Sequence, residues 1–553
     1  MNAQLRRTFY LFVIGFVALV GVLAYWQVYA RESLATDPAN RLQSQRVQEV
    51  ARGLILAGDG ETELARSEPD DNGTYERVYP EGPLYAGVTG YWSTRYGASG
   101  LEISQNNNLS GAGEPETLDE LMNQFSGVDE AGNDVELTLD PELQRIAYDG
   151  LASSSTGRGA AVALNPKNGE ILSLVSYPSF DPNNIDGNFE ELTEDPSFPL
   201  LNRATQGLYP PGSTFKVITA AAALEGGVKP SDRYRDNGTY ETPGYTVYNY
   251  RGREYGQQTF EQALANSVNT IFARVGYEDV GGEALAQKAE AFGFYDPYED
   301  FALPVAPSFF NPPPEQWDQG NVAQSSFGQQ TVSGTVFEMA NVAGAIANGG
   351  TMMEPRLVRE VRSPDGVIID KPTPRVHARP MDGETASTLT DMMEAAVTQV
   401  ESGAAIPGVK VAGKTGTAEA PGEELHSWFI SFAPADDPEI AVAVMVENGQ
   451  EGYKQALPIA RRLMEAHLKS QGELPDETPS PPPAQPQGET TQPGTQSARP
   501  QNEGPSQFPF QNAFRSQNQT PAQNQNPGQP PGQPPGQPPT QPPGQPPNQR
   551  PGG

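Results

Sequence analysis

The sequence has no cysteine and only three histidines, His377, His426 and His467, among 553 residues. Without cysteine there is no disulfide, thiolate nucleophile, iron–sulfur cluster or cysteine-type zinc site. Three histidines rule out a His-rich metal site, and a Ser-His-Asp triad would have to recruit one of them. His426 follows the acidic turn at Glu423-Glu424 and is expected at the surface. Net positive charge is lacking too: 36 basic residues face 69 acidic ones, a formal charge of -33. A polyanion of this size repels phosphate backbones, so no nucleic-acid partner is expected.

The chain allows three or four folded units. Arg6 and Arg7 precede an uncharged apolar run from Phe9 to about Val28. About twenty helical residues span a bilayer core of about 30 Å. Tyr25, Trp26 and Tyr29 cluster at the far end, as an interfacial belt would. The arginines predict a cytoplasmic N-terminus and a single-pass anchor over residues 1–30, with everything after it outside the cell membrane. The alternative is a signal peptide cleaved after Val28-Tyr29-Ala30, which the bulky aromatics disfavour. At the other end, residues 471–553 turn to Pro, Gln, Gly and Asn, and 23 of the 54 prolines lie from Glu473 onward. Such a segment cannot bury enough apolar surface to offset its ordering entropy, so a disordered, partly polyproline II tail is expected.

Between them the composition is globular. Residues 31–134 are rich in Gly, Asn and Tyr with short strand-like runs, which predicts a small β-rich module. A boundary near 134 opens a larger domain over 135–470. There Val135 to Leu139 alternates as a strand, and Asp140-Pro141 caps a helix with Leu143, Ile146, Ala147 and Leu151 on one face. Residues 160–164 and 171–175 form a hairpin across Asn165 to Gly169. Strands at 428–432 and 440–446 meet at Asp436-Asp437-Pro438, and a helix follows over Leu457 to Leu468. A further helix over Val336 to Asn348 stops at Gly349-Gly350. Strands at both ends with helices between predict an α+β domain whose first and last strands share one sheet.

Three short motifs carry the chemistry. Ser213-Thr214-Phe215-Lys216 follows Pro210-Pro211-Gly212 and precedes an Ala-rich helix former. The spacing puts serine at a helix N-terminus with the lysine amine within reach of its oxygen. A neutral Lys216 could take the hydroxyl proton, which activates serine without histidine. Ser267-Val268-Asn269 is uninformative alone. Lys414-Thr415-Gly416-Thr417, after the alternating Val409 to Ala412, is the sharpest of the three.

In this order the three motifs resemble the penicillin-recognising serine acyltransferases. The chain resembles a class B penicillin-binding protein, most similar to the penicillin-binding protein A group, over about residues 1–470. The likeness includes Arg52-Gly53-Leu54-Ile55 with Asp59-Gly60, Gly97 to Glu102, and Leu137-Thr138-Leu139-Asp140. Ser326-Phe327-Gly328-Gln329 and Ala347-Asn348-Gly349-Gly350 extend it. The resemblance implies a serine β-lactamase/transpeptidase-like domain, with helices on both faces of an antiparallel sheet and an all-helical subdomain, behind a dimerisation or pedestal module. No glycosyltransferase module is expected.

The resemblance further implies a peptidoglycan D,D-transpeptidase that crosslinks stem peptides from lipid-linked precursor and is trapped by β-lactams, without metal or cofactor. Catalysis would fall to Ser213, Lys216, Ser267 and Lys414, with Asn269, Thr415, Gly416 and Thr417 binding substrate. Backbone N–H groups of Ser213 and Thr417 would form the oxyanion hole. A glycosyltransferase partner and divisome or elongasome proteins are implied as well. The alternatives on this site are a D,D-carboxypeptidase, which differs in using water as acceptor, and a serine β-lactamase. The β-lactamase is disfavoured because no Glu-x-x-x-Asn lies between Ser267 and Lys414. A non-catalytic divisome scaffold or β-lactam sensor is the alternative of another class.

Overall fold

The structure is a computed structural model that describes residues 50–71, 73–111, 131–243, 245–310, 319–330, 332–419 and 425–474, with Phe16. The apolar run expected to anchor the chain, apart from Phe16, and the Pro/Gln-rich tail from 475 lie outside the described residues. Among the described residues no helix is long and apolar enough to cross a membrane.

Two sheets organise the chain. The first runs in the order 368–370, 358–362, 134–137, 55–56, 63–69, 75–78. Ile55–Leu56 pairs in parallel with Asp134–Leu137, and Val358–Arg362 pairs antiparallel on the other side. Two strands from deep in the chain therefore complete a sheet begun by residues 55–137. Beneath it lies a buried ion cluster. Glu102, held by the short helix Gly100–Ser104, takes Arg52 at 2.8 Å and Arg77 at 2.7 Å. Burial alone would raise the Glu102 pKa, but the two guanidiniums outweigh it and hold the carboxyl below its ordinary value.

The second sheet is antiparallel throughout, in the order Ala412–Glu419, Leu425–Ala433, Ile440–Val446, Gly159–Leu164, Ile171–Tyr177. The expected hairpin at 160–175 and the strands at 428–446 share it, whereas Val135 to Leu137, expected to open the same domain, belongs to the first sheet because Ile55–Leu56 and Val358–Arg362 flank it there. Two central strands of the second sheet, Gly159–Leu164 and Ile440–Val446, read as unbroken apolar runs because both faces are covered. Val442, Val444 and Val446 pack under the helices Pro141–Ala152 and Ala456–Ser470, while Ala441, Ala443 and Met445 face the other core. That second core is built on the helix Val336–Ala347, which is buried along almost its whole length. Asp140 caps the Pro141 helix through the N–H groups of Glu142 and Leu143, as its sequence predicts.

The Val336 helix carries a carboxyl where water does not reach. Glu338 is fully buried, and its Oε2 accepts the Tyr298 hydroxyl at 3.0 Å. Among the described residues its Oε1 has no hydrogen-bond partner. Burial, with Asp296 adding to it, pushes the Glu338 pKa up to about 8. The Tyr298 ring stacks on His377, whose Nε2 lies 3.2 Å from Asp296. His426 is half-buried rather than at the surface. It packs edge-on against Tyr209, and its Nδ1 accepts the Asn448 N–H at 3.2 Å. Its strand continues the sheet opposite Ala418, so its ring is drawn into the packing.

Candidate active site

Ser213 lies on a 3-10 turn, Gly212–Phe215, and the α-helix begins one residue later at Lys216. The predicted helix N-terminus is thus displaced by a turn. The cause is local: Gly212 takes a left-handed φ of 55°, and the Thr214 hydroxyl donates back to the Pro211 carbonyl at 2.7 Å. The turn is clamped from two sides. The Gly212 N–H donates to the Gly328 carbonyl at 2.9 Å, and a Cβ on Gly212 would fall 2.7 Å from the Thr417 carbonyl. The Ser326 to Gln329 stretch therefore supports the serine turn, and the Thr219 hydroxyl ties it further by donating to the Ser326 carbonyl.

The Lys216 side chain is buried, and its Nζ lies 3.1 Å from Ser213 Oγ and 3.1 Å from Ser267 Oγ. The Ser267 carbonyl and Asn269 Oδ1 approach more closely, both at 2.7 Å. The rings of Phe272 and Phe327 stand 5.5 and 6.0 Å away. Burial, and then the charge of Lys414, hold the Lys216 pKa well below its ordinary value. Ser267 reaches this position at a φ of 57°, a conformation that costs a non-glycine residue of order 1–3 kcal/mol. The capping box of Thr259 and Gln262 starts the helix Phe260–Ala265 that delivers it. Asn269 is fixed in turn, its Nδ2 donating to the Tyr248 carbonyl at 3.2 Å.

Lys414, Thr415, Gly416 and Thr417 lie on the edge strand Ala412–Glu419 beside the serine turn. Gly416 permits the approach, since a Cβ there would sit 2.9 Å from both the Pro211 carbonyl and Thr214 Cγ2. Lys414 is buried, and its Nζ donates to the Thr415 carbonyl at 2.9 Å and lies 3.5 Å from Glu401 Oε1. Burial lowers its pKa, and Glu401 partly restores it. Among the described residues no hydrogen bond joins Lys414 to Ser267. The eight predicted residues thus fall into two neighbouring sets, one around Lys216 and one on the edge strand. Glu401 was missed. It belongs to no motif and meets Lys414 and Thr415 only through the tertiary path of the chain.

Residues 159–465 match the penicillin binding protein transpeptidase domain, and residues 52–135 match the penicillin binding protein A dimerisation domain. The chain is a class B penicillin-binding protein of the penicillin-binding protein A group. It is 37% identical to the peptidoglycan D,D-transpeptidase PbpA of Mycolicibacterium smegmatis, over 85% of this chain and 99% of that one. With PbpA of Mycobacterium tuberculosis H37Rv the identity is 36%, over 86% of this chain and 100% of the other. A ceftriaxone acyl-enzyme complex of M. tuberculosis penicillin-binding protein A superposes with a TM-score of 0.72 at 36% identity, covering 76% of this chain and 99% of that one. The penicillin-binding protein described here is accordingly an enzyme with an α+β transpeptidase fold.

Proposed function

We propose that the enzyme is a membrane-anchored peptidoglycan D,D-transpeptidase working through an acyl-Ser213 intermediate. One observation carries the reading: the contacts around Lys216 suit a neutral amine. A neutral amine has two N–H bonds and one lone pair. The Ser267 carbonyl and Asn269 Oδ1, both at 2.7 Å, account for the hydrogens. The lone pair is left for the two hydroxyls at 3.1 Å, Ser213 in the attack and Ser267 in the proton relay that follows. The lowered Lys216 pKa fits that state, since a base of this kind works best when its pKa approaches ambient pH.

Ser213 Oγ attacks the carbonyl of the penultimate D-alanine, and its proton passes to Lys216. The oxyanion forms between the backbone N–H groups of Ser213 and Thr417, a reading supported by the close approach of the Gly212 turn to the Thr417 carbonyl. The C–N bond then breaks as a proton reaches the leaving D-alanine amine through the Ser267 hydroxyl. An amine of a neighbouring stem peptide attacks the ester, gives up a proton through Lys216, and restores the Ser213 hydroxyl. By the motif, Lys414 and the hydroxyls of Thr415 and Thr417 hold the terminal carboxylate. β-Lactams enter the same first step and remain as acyl-serines. The run Phe9 to Val28 would anchor the enzyme in the membrane with the active site outside, near a glycosyltransferase and other divisome or elongasome proteins.

Crosslinking of purified lipid-linked precursor, read by mass spectrometry of muropeptides, tests the reading. Dimeric muropeptide from the parent and none from Ser213→Ala is the expected result. Trimmed tetrapeptide alone would instead make it a carboxypeptidase.

A further inference from the structure

Glu401 is held at the edge of the active site by its own backbone. It follows the helix Gly383–Gln399 and precedes the turn Ser402–Ala404. Its N–H donates to the Ala396 carbonyl at 2.9 Å, and its carbonyl accepts the Ala404 N–H at 2.9 Å. Glu401 is 6% exposed, and among the described residues the polar contacts of its side chain go to the Lys-Thr-Gly strand. The Thr415 N–H donates to Oε1 at 3.0 Å and to Oε2 at 3.1 Å. The Thr415 hydroxyl donates to Oε1 at 2.5 Å, and the Lys414 ammonium lies 3.5 Å from the same oxygen.

This arrangement has two consequences. An unpaired N–H on an edge strand is what an extended ligand would use, and Glu401 already occupies the one at Thr415. A hydroxyl also has one proton to give. Since Thr415 gives that proton to Glu401, it offers only lone pairs to anything else, and an incoming carboxylate gains nothing from them. Thr417 lies two residues on, on the same face of the strand, and is left with the task alongside Lys414. A buried ammonium close to another buried lysine would shed its proton without a counter-charge. Glu401 supplies that counter-charge to Lys414, against the pull of burial.

We propose that Glu401 is a positioning residue that ties up the Thr415 hydroxyl and keeps Lys414 cationic, so that the substrate carboxylate is received by Lys414 and Thr417. The proposal rests on the transpeptidase reading above. Its partition of roles differs from the one the motif implied, in which both threonine hydroxyls bind the carboxylate.

The test is the acylation of the full chain by a fluorescent penicillin, resolved into the binding constant and the acylation rate constant across pH. Parent, Glu401→Gln and Glu401→Asp are compared. Glutamine keeps an acceptor for the Thr415 N–H but removes the charge, so binding weakens by roughly tenfold while the acylation rate constant changes little. The alkaline limb of the second-order constant moves to lower pH, because the Lys414 ammonium loses its partner. Aspartate keeps the charge at a longer reach and moves both readouts the same way by less, which carries the test should the glutamine variant not fold. A loss confined to melting temperature, with both pH profiles superimposed on the parent, overturns the proposal. Ser213→Ala separates the two levels. Continued labelling of that variant defeats the transpeptidase reading, whereas silence there with unmoved Glu401 profiles defeats only this inference.

Discussion

Replacing Glu338 with glutamine should change how stability depends on pH, and the size follows from the burial of that carboxyl. Its pKa stands at about 8 in the folded enzyme against an ordinary 4.5. Below about pH 4.5 both folded and unfolded chains hold the proton, and the group costs nothing. Above it the unfolded chain releases the proton while the folded one keeps it. Stability is therefore lost as pH rises, by about 1.4 kcal/mol per unit, until the folded group itself ionises near 8. Glutamine does not titrate, and its oxygen can still accept the Tyr298 hydroxyl. Its second N–H sets a constant offset, because an unmet buried donor costs about 1–3 kcal/mol at every pH. The gap between variant and parent should widen in the variant's favour by about 3 kcal/mol from pH 5 to pH 7.5. For a folded region of roughly 400 residues that is about 4 °C in Tm. Thermal or denaturant unfolding of both proteins at the two pH values is the assay. Parallel profiles, with a gap that does not change, would refute the reasoning, because they would mean that Glu338 ionises normally and that the pocket around Tyr298 admits water.

Asn269→Ala removes one of the two short acceptors of Lys216 and should slow penicillin acylation by roughly 10- to 100-fold with little change in Tm; an unchanged rate would mean the Ser267 carbonyl suffices. Gly416→Ala places a methyl 2.9 Å from the Pro211 carbonyl and from Trp428 Cβ, so the strand must back away from the serine turn. It should lose about 1–3 kcal/mol of stability together with most of its acylation rate, measured by melting and by labelling. Glu102→Gln leaves two buried guanidiniums without their anion and should cost about 3–5 kcal/mol in denaturant unfolding, with labelling of the still-folded fraction unaffected.

Much of this architecture was legible in the residues. Unbroken apolar runs at 160–164 and 440–446, and the run at 428–432 interrupted only by Ser431, belong to a sheet covered on both faces, and their composition says so. The helices at 141–152 and 336–347 carry their own caps, the helix at 456–470 an apolar stripe, and the observed ends of the last two differ from the expected ones by a residue or two. The meeting of Ser213 and Lys216 was recoverable because their spacing on one turn fixes it, whereas Asn269 reaches Lys216 from 53 residues on through the fold. Other features depend on where distant segments cross. Nothing about Val358 to Arg362 announces that it will pair with Asp134 to Leu137. Glu401 reads as a polar residue after a helix, and only the fold brings it onto Thr415. The hydroxyl of Thr415 looked available for the same reason.

The shared sheet bears on how this enzyme can be dismantled. Cutting the gene just after Leu137 would remove four of the six strands and leave the hairpin at 358–370 with a bare flank of open amides and carbonyls. A catalytic fragment made that way would invite self-association through that flank. Grafting the N-terminal portion onto another enzyme would fail in the mirror-image way unless the hairpin travelled with it. Inheritance of the two portions is thus constrained to be joint, and any force applied to the strands at 55–78 is delivered through the shared sheet into the polypeptide that leads on to the Lys-Thr-Gly strand.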